Sequence, residues 1–364
     1  MKALILAGGY ATRLHPLSYV MPKALFPVCG RPILEHTIER LSSFGFDEVI
    51  LGVNHLEDQI RKHFGDVWRG VRVKYSFEPA PLGTGGAIAF LQQHLSDEET
   101  FLVMNGDIIS DIDLKAMANL HKSTGALATI ALHKVVDPTP FGVVKLGDGS
   151  KILEFVEKPR LAEASSRLIN AGICLMRSEL IDRIPGGRKV MLEQEVFPAV
   201  ARGGQLFGYT HSGLWFDIGS IPDFVNANFA LLKERKGSVF QDGSVRASND
   251  VSFIRPIMVC AGADVGSEVH MGPNVIVGAR TRIRKGASLA RTIVFDDVDI
   301  GDRSVIEGSI IGGNVTVGKG VIIHQGVVIA GHVRIHDNIC IACNVHVLPD
   351  QEISRDVLTP GITV

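Results

Sequence analysis

The chain reads as two domains of different class. The first is α/β, a Rossmann-like and mostly parallel sheet with helices on both faces; the second is a C-terminal left-handed parallel β-helix of hexapeptide repeats. Three observations predict this. Strand-like and helix-like segments alternate up to about residue 236. Aliphatic residues then recur every six positions from Val259. At 364 residues the chain is also long enough for two separate cores.

In the first part, short apolar runs bounded by turn residues predict strands at residues 3–7, 48–54, 71–78 and 100–107. Helical periodicity falls between them at 32–44, 57–64 and 86–95. Beyond Gly125 the pattern changes to longer strand runs at 126–135, 142–146, 152–156 and 168–176, as expected of an inserted, substrate-facing section. A helix at 223–236 closes a domain of residues 1–236, and polar residues 237–250 read as a linker.

Residues 251–364 carry the repeat. Val259, Val265, Met271, Val277, Ile283 and Leu289 set a register that Phe295 continues, and two five-residue steps follow, to Ile300 and from Ile306 to Ile311. The six-step resumes through Val317, Ile323, Ile329, Ile335, Ile341 and Val347. Such a period predicts about five triangular coils, each burying the faces of its neighbours. Glycines directly after the first position (Gly266, Gly272, Gly278, Gly301, Gly312, Gly318) are expected at tight corners. Uncovered coils, the last turn among them, favour a homo-oligomer formed through this domain.

Composition narrows the function. A net charge of −2 gives no basis for a nucleic-acid or membrane partner, and no apolar stretch of spanning length or processing site appears, so a cytoplasmic location is expected. Cys29, Cys174, Cys260, Cys340 and Cys343 are scattered in apolar contexts that suit a reduced compartment. Cys340 and Cys343 form a lone C-x-x-C, read as small buried residues without zinc despite His336 and His346 nearby.

The candidate chemistry begins at Leu6-Ala7-Gly8-Gly9-Tyr10-Ala11-Thr12-Arg13 and runs on to Pro22-Lys23. Two glycines ending a buried strand let backbone N–H groups approach phosphate oxygens, and two cations follow at fixed distances. By itself the loop reads more readily as a strand-to-loop glycine pair with solvated cations than as a phosphate site. Asn105-Gly106-Asp107 ends another strand, and Asp217 sits in Trp215-Phe216-Asp217-Ile218-Gly219. Carboxylates at strand ends are the usual Mg²⁺ ligands, although either one alone could be a turn or cap residue. Asp111 and Asp113 are read as helix caps. Pro81-Leu82-Gly83-Thr84-Gly85-Gly86 offers a surface for a planar base or an anion. Glu157-Lys158-Pro159, Asn170-Ala171-Gly172 and Phe141-Gly142-Val143 add an acid, a base, an amide and close-approach glycines.

This ordered set of motifs resembles the sugar-1-phosphate nucleotidylyltransferases over nearly the whole chain, and within them the mannose-1-phosphate guanylyltransferases, which also carry a hexapeptide β-helix. The resemblance implies transfer of a nucleotidyl group from a nucleoside triphosphate to a sugar 1-phosphate, with Mg²⁺. It implies that Leu6, Ala7, Gly8, Gly9, Thr12, Arg13 and Lys23 hold the nucleotide together with Asn105, Asp107 and the ledge Gly83, Thr84, Gly85 and Gly86. Asp107 and Asp217 would bind Mg²⁺. Gly142, Glu157, Lys158, Asn170 and Asp217 would hold the sugar phosphate, and Arg13, Lys23, Asp107 and Lys158 would carry catalysis. The chain departs from the family at Ala11, where Gly is usual.

The residues leave three other readings open. Adenylyl-, thymidylyl- and uridylyltransferases of glucose 1-phosphate share most of these motifs. An acyltransferase could use His270, His324, His332, His336 or His346, but the hexads carry no inserted loops to build its site. A non-catalytic regulatory subunit would be expected to lose Lys23 or a metal carboxylate, and this chain keeps both.

Overall fold

The structure is a computed structural model, and it describes every residue except 79, 236–238 and 241–243. By contacts the chain divides into two compact units, one of Met1–Gly9 and Ile33–Asp217, the other of Tyr10–Pro32 and Ile218–Val364.

In the first unit β1 (Lys2–Leu6), β2 (Glu48–Val53), β3 (Val71–Phe77) and β4 (Thr100–Asn105) form a parallel block in the order β4-β1-β2-β3. Ala3, Leu4 and Ile5 are fully buried, because a central parallel strand is covered on both faces and so reads as one apolar run. At β3 buried and exposed residues alternate, the pattern of a strand covered on one face. Short β5 (Ile108–Ser110) leaves the sheet after β4. The longer runs, β6 (Ala128–Lys134), β7 (Gly142–Leu146), β8 (Ile152–Glu157), β9 (Leu168–Arg177) and β10 (Leu206–His211), extend it. Here β9 is antiparallel to β4, β6 and β7. The inserted section is therefore largely antiparallel, while β10 joins β6 in parallel. β11 (Trp215–Asp217) pairs with β5 as a separate ribbon.

Helices α1 (Ile33–Ser43) and α2 (Glu57–Phe64) lie close to their expected positions, α3 (Gly83–Phe90) overlaps its own, and α4 (Leu114–Thr124) is a helix whose span was not expected. On α1 the buried residues Ile33, Leu34, Thr37, Ile38 and Leu41 recur at helical spacing, which marks one inward stripe. Asp113 caps α4 by accepting from the Ala116 N–H at 2.9 Å. Asp111 is not a cap: it lies two residues too early and instead meets His211 Nε2 at 2.8 Å. Helix α3 starts three residues before its expected start at residue 86 and stops at Phe90, with a separate turn at Gln92–Leu95.

The second unit contains α5 (Ile221–Glu234) and three parallel sheets of 7, 7 and 6 strands, consistent with a left-handed β-helix. The coils outnumber the five expected, because strands begin at Val239–Phe240 and Arg246–Ala247. The stretch expected as a linker thus holds part of the first coil, and residues 237–238 and 241–243 of it lie outside the described residues. Its polar composition hid strands only two residues long. The last turn is covered after all, since Val357 bridges to Ile341 and Thr363 to His346.

The repeat glycines also differ from expectation. The left-handed corner falls two residues later, at Glu268, Asn274, Arg280, Asp297, Arg303, Asn314 and their equivalents. Of the six glycines expected at corners, only Gly272 has positive φ, whereas Gly262, Gly286, Gly308, Gly320 and Gly326 also lie in the left-handed region. The rest of the expected six are required by coil stacking: a Cβ on Gly278 would lie 2.4 Å from the Phe295 carbonyl carbon, and one on Gly301 2.4 Å from Gly318 O. Among the described residues no helix is long and apolar enough to cross a membrane.

Candidate active site

Two strand ends build the first edge of the site. Leu6 of β1 lies beside Asn105 of β4, and the Gly106 N–H donates to Leu6 O at 2.8 Å. A Cβ on Gly106 would sit 3.0 Å from both Ala7 Cβ and Leu6 O, so glycine lets the two strand ends close up. Ala7 is held on its other side by its N–H to Gly52 O at 2.8 Å. Gly8, Gly9 and Asp107 therefore leave the sheet together at its carboxyl edge, where ligands of parallel sheets bind.

The antiparallel β5–β11 ribbon then sets Asp217 opposite Ile108, the residue after Asp107. Both carboxylates are partly buried. Hard oxygen donors of this kind suit Mg²⁺, which takes one or two carboxylates and completes its shell with water and substrate phosphates. Among the described residues no group of three or more His, Cys, Asp or Glu could form an all-protein cage. The donor set fits a cation held jointly with a polyphosphate.

The glycine ledge is organised differently from the expected open surface. The Gly85 and Gly86 N–H groups both donate to Val190 O, at 2.9 and 3.2 Å. A Cβ on Gly83 would lie 2.6 Å from that same oxygen. Gly85 and Gly86 are buried, while Gly83 and Thr84 remain partly exposed. Thr84 Oγ1 donates to Glu193 Oε2 at 2.7 Å and accepts from the Leu192 N–H at 2.9 Å. The glycines thus let a strap at Val190–Leu192 pack on α3, and they leave the Leu82–Thr84 end accessible.

Glu157, Gly142 and Asn170 form a row across three strands. Gly142 pairs with Glu157, and Val143 pairs with Ile169, one step before Asn170. A Cβ on Gly142 would fall 2.9 Å from Glu157 Oε2, so the glycine makes room for that carboxylate. Oε2 is buried with no hydrogen-bond partner among the described residues. Burial pushes the Glu157 carboxyl above its ordinary range, Glu193 adds to the rise, and Lys158, with Nζ 3.6 Å from Oε1, opposes it. Lys158 has φ 49°, a left-handed backbone held by its N–H to Phe141 O, and its side chain is exposed. Asn170 Oδ1 accepts from the Gly172 N–H at 3.1 Å. Trp215 closes the row, donating to Ala171 O at 3.0 Å and stacking on His133 at 5.3 Å.

Thr12, Arg13 and Lys23 belong to the second unit. Thr12–Leu14 is a single 3₁₀ turn with Leu14 buried and Thr12 and Arg13 exposed. Ala11 opens it in the left-handed region, at φ 49° and ψ 42°. Lys23–Leu25 forms a second turn, closed by the Phe26 N–H to Lys23 O at 3.0 Å.

Two family models match this chain. The model described as nucleotidyl transferase matches residues 2–234. The chain belongs to that family. A second model, described as the GMPPB C-terminal domain, matches residues 253–363. This nucleotidyltransferase is 34% identical, over all of both chains, to mannose-1-phosphate guanylyltransferase 1 of Arabidopsis thaliana. It is 33% identical to the mannose-1-phosphate guanylyltransferase of Mycobacterium tuberculosis, over 84% of this chain and 83% of that one. The solved structure of HddC from Yersinia pseudotuberculosis complexed with GMP-PN is 27% identical, with a TM-score of 0.54 over 63% of this chain and 99% of that chain.

Two further residues contact the candidate site without having been singled out by sequence reasoning, Glu193 through Thr84 and Trp215 through Ala171. Glu193 lies in a π-helical turn, Leu192–Val196, a form often found at functional sites but without a sequence signature. Trp215 carries no signal in the sequence beyond its place in the Asp217 motif. The histidines weighed for acyl transfer lie on the β-helix, where His336 meets Glu352 at 2.7 Å. The buried thiols of Cys29 and Cys260 are pushed up to about 11 and about 12 by desolvation, which keeps them protonated.

Proposed function

We propose that this protein transfers the guanylyl group of GTP to mannose 1-phosphate, giving GDP-mannose and pyrophosphate. The observation that carries the reading is the pairing of Asp217 with Ile108, the residue after Asp107, which supports a shared role for the two aspartates. Full-length relatives named for this reaction support the choice of base and sugar.

In this reading Mg²⁺, held by Asp107 and Asp217 with substrate phosphates, supplies neutralising charge. The backbone of Leu6 to Gly9, with Thr12 and Arg13, cradles the triphosphate, and Asn105 and the Leu82–Thr84 end of the ledge border the nucleoside. Glu157 and Asn170 accept and donate to sugar hydroxyls beside Gly142, while Lys158 neutralises the sugar phosphate. A phosphate oxygen of mannose 1-phosphate attacks the α-phosphorus. One P–O bond forms there as the α–β P–O bond breaks, and pyrophosphate leaves with the electron pair. The nucleophile is already anionic near neutral pH, so no general base is needed. The protein's task is to bring two anions together and to stabilise charge on the α-phosphate and leaving group, a role suited to Lys23, Arg13 and Lys158. We place the enzyme in the cytoplasm, where its free cysteines stay reduced, and as a homo-oligomer formed through the β-helix.

Pyrophosphate release with Mg²⁺ should be measured for GTP, ATP, UTP and dTTP against mannose-, glucose- and N-acetylglucosamine 1-phosphate. GTP with mannose 1-phosphate should give the highest kcat/KM. A higher value for another pair would overturn the assignment.

A further inference from the structure

We propose that Phe295 of the β-helix and Asn228 of α5 are positioning residues that hold the Lys23 segment in its working conformation. The inference rests on the reading that Lys23 acts on the nucleotide phosphates.

Residues Tyr10–Pro32 form one compact unit with the β-helix and α5. The contacts responsible flank Lys23 on both sides. Three residues after it, the Phe26 ring is fully buried against two others, 5.7 Å from Phe224 and 6.3 Å from Phe295. Phe224 and Phe295 are themselves 6.0 Å apart, and all three pairs are edge-to-face, the arrangement that aromatic quadrupoles favour. Because the Phe26 N–H also closes the turn on Lys23 O, the ring position fixes the Lys23 backbone. On the other side, Val20 passes a β-helix coil so closely that a Cβ on Gly331 would be 3.3 Å from Val20 Cγ2.

Beyond Phe26 the chain forms a hairpin, Pro27–Val28 against Arg31–Pro32, with Cys29 and Gly30 both at positive φ. Its tip is caught by Asn228, a fully buried amide. The Cys29 N–H donates to Asn228 Oδ1 at 2.8 Å, and Asn228 Nδ2 donates to Phe224 O at 3.0 Å. Phe224 and Asn228 are one helical turn apart, so the same helix holds both the ring and the tip. Cys29 and Leu232 then cover Met258 and Ile276 on the β-helix surface.

The test uses the full-length chain. Phe295→Leu and Phe295→Ala remove the ring, and Ile323→Ala, inside the coils, serves as a control for stability alone. Displacing a phosphate-binding lysine by about 1 Å can cost on the order of a hundred-fold. Assayed below its melting temperature, Phe295→Leu should lose about ten- to a hundred-fold in kcat, with KM for the sugar 1-phosphate within about two-fold. Ile323→Ala, comparably destabilised, should keep its kcat. Asn228→Ala should behave as Phe295→Leu does, and Asn228→Asp, which keeps the acceptor for Cys29, should recover part of the loss. A folded Phe295→Leu enzyme with the kcat of the Ile323→Ala control would overturn the proposal. Should Phe295→Ala fail to fold, the leucine variant decides by the same criterion. The underlying reading is tested separately by Lys23→Ala: full activity there would remove Lys23 from the mechanism, whereas an inactive Lys23→Ala beside a normal Phe295→Leu would sink only the positioning role.

Discussion

Asp217 stands directly opposite Ile108 in the β5–β11 ribbon, one residue from Asp107, although 110 positions separate the two aspartates along the chain (217 − 107 = 110). Among the described residues neither is part of an all-protein metal cage, so a shared cation would keep room in its shell for water and substrate oxygens. Asp107→Asn and Asp217→Asn should therefore each lower kcat by at least about a hundred-fold while leaving the melting temperature nearly unchanged. The loss should be partly recovered at high Mg²⁺ if the carboxylates act through the ion. Near wild-type pyrophosphate release by either variant would remove the pair from the mechanism.

Glu157 illustrates a conflict between stability and binding. Its carboxyl is raised by burial, so its ionised form opposes folding: the contribution to stability is present at low pH and is lost as pH rises through the folded value. Glu157→Gln should thus stabilise the protein near neutral pH, by about 1 kcal/mol. The same change should raise KM for the sugar 1-phosphate by about ten- to a hundred-fold, the worth of a hydrogen bond to a charged group. In the wild type that KM should climb as pH falls through the raised value. A thermal shift in the opposite sense would mean that Glu157 is well solvated or paired.

Much of this arrangement was legible in the chain. The apolar runs of β1 and β4 gave the carboxyl edge because central parallel strands are buried on both faces. The hexads gave the β-helix because each coil repeats one inward position. What stayed hidden depends on contacts between distant segments. Nothing local says that Gly85 and Gly86 give their N–H groups to Val190, or that residues 10–32 pack with the β-helix. The corner positions were misplaced for a related reason. Asn and Asp visit the left-handed region and hold several corners, so the glycines directly after the repeat's first position mark close stacking between coils instead.

That distinction can be measured. Gly301 has ordinary φ, but an added Cβ would meet Gly318 O of the next coil at 2.4 Å. Gly301→Ala should cost about 1–3 kcal/mol, the range for overpacking a filled interior. Arg303→Gly, at a corner with φ 57°, exchanges backbone strain for chain entropy and should change stability by less than about 1 kcal/mol. Thermal unfolding of both variants by circular dichroism tests the assignment, and a harmless Gly301→Ala would refute it.

Ala11 stands where the resemblance leads one to expect glycine in the proposed phosphate loop, and its backbone conformation is one that glycine adopts most easily. The residue lies at φ 49° and ψ 42°, where an L side chain crowds its own carbonyl. Two hydrogen bonds to that carbonyl, from the Leu14 N–H and from the buried Ser18 hydroxyl, both at 2.9 Å, keep it in place. The loop therefore has the left-handed turn without the residue that adopts it most easily. Ala11→Gly should relieve about 1–2 kcal/mol of strain and return about 0.5–1 kcal/mol of it as unfolded-chain entropy. A net gain of up to about 1 kcal/mol is expected, seen as a higher melting temperature, with KM for GTP unchanged because no ligand-facing group is altered. Ser18→Ala should do the reverse, destabilising the protein by releasing one of the two bonds that hold the strained carbonyl. If Ala11→Gly instead raises KM for GTP, the methyl group itself is ordering the loop, and the departure from glycine is then an adaptation of the triphosphate site.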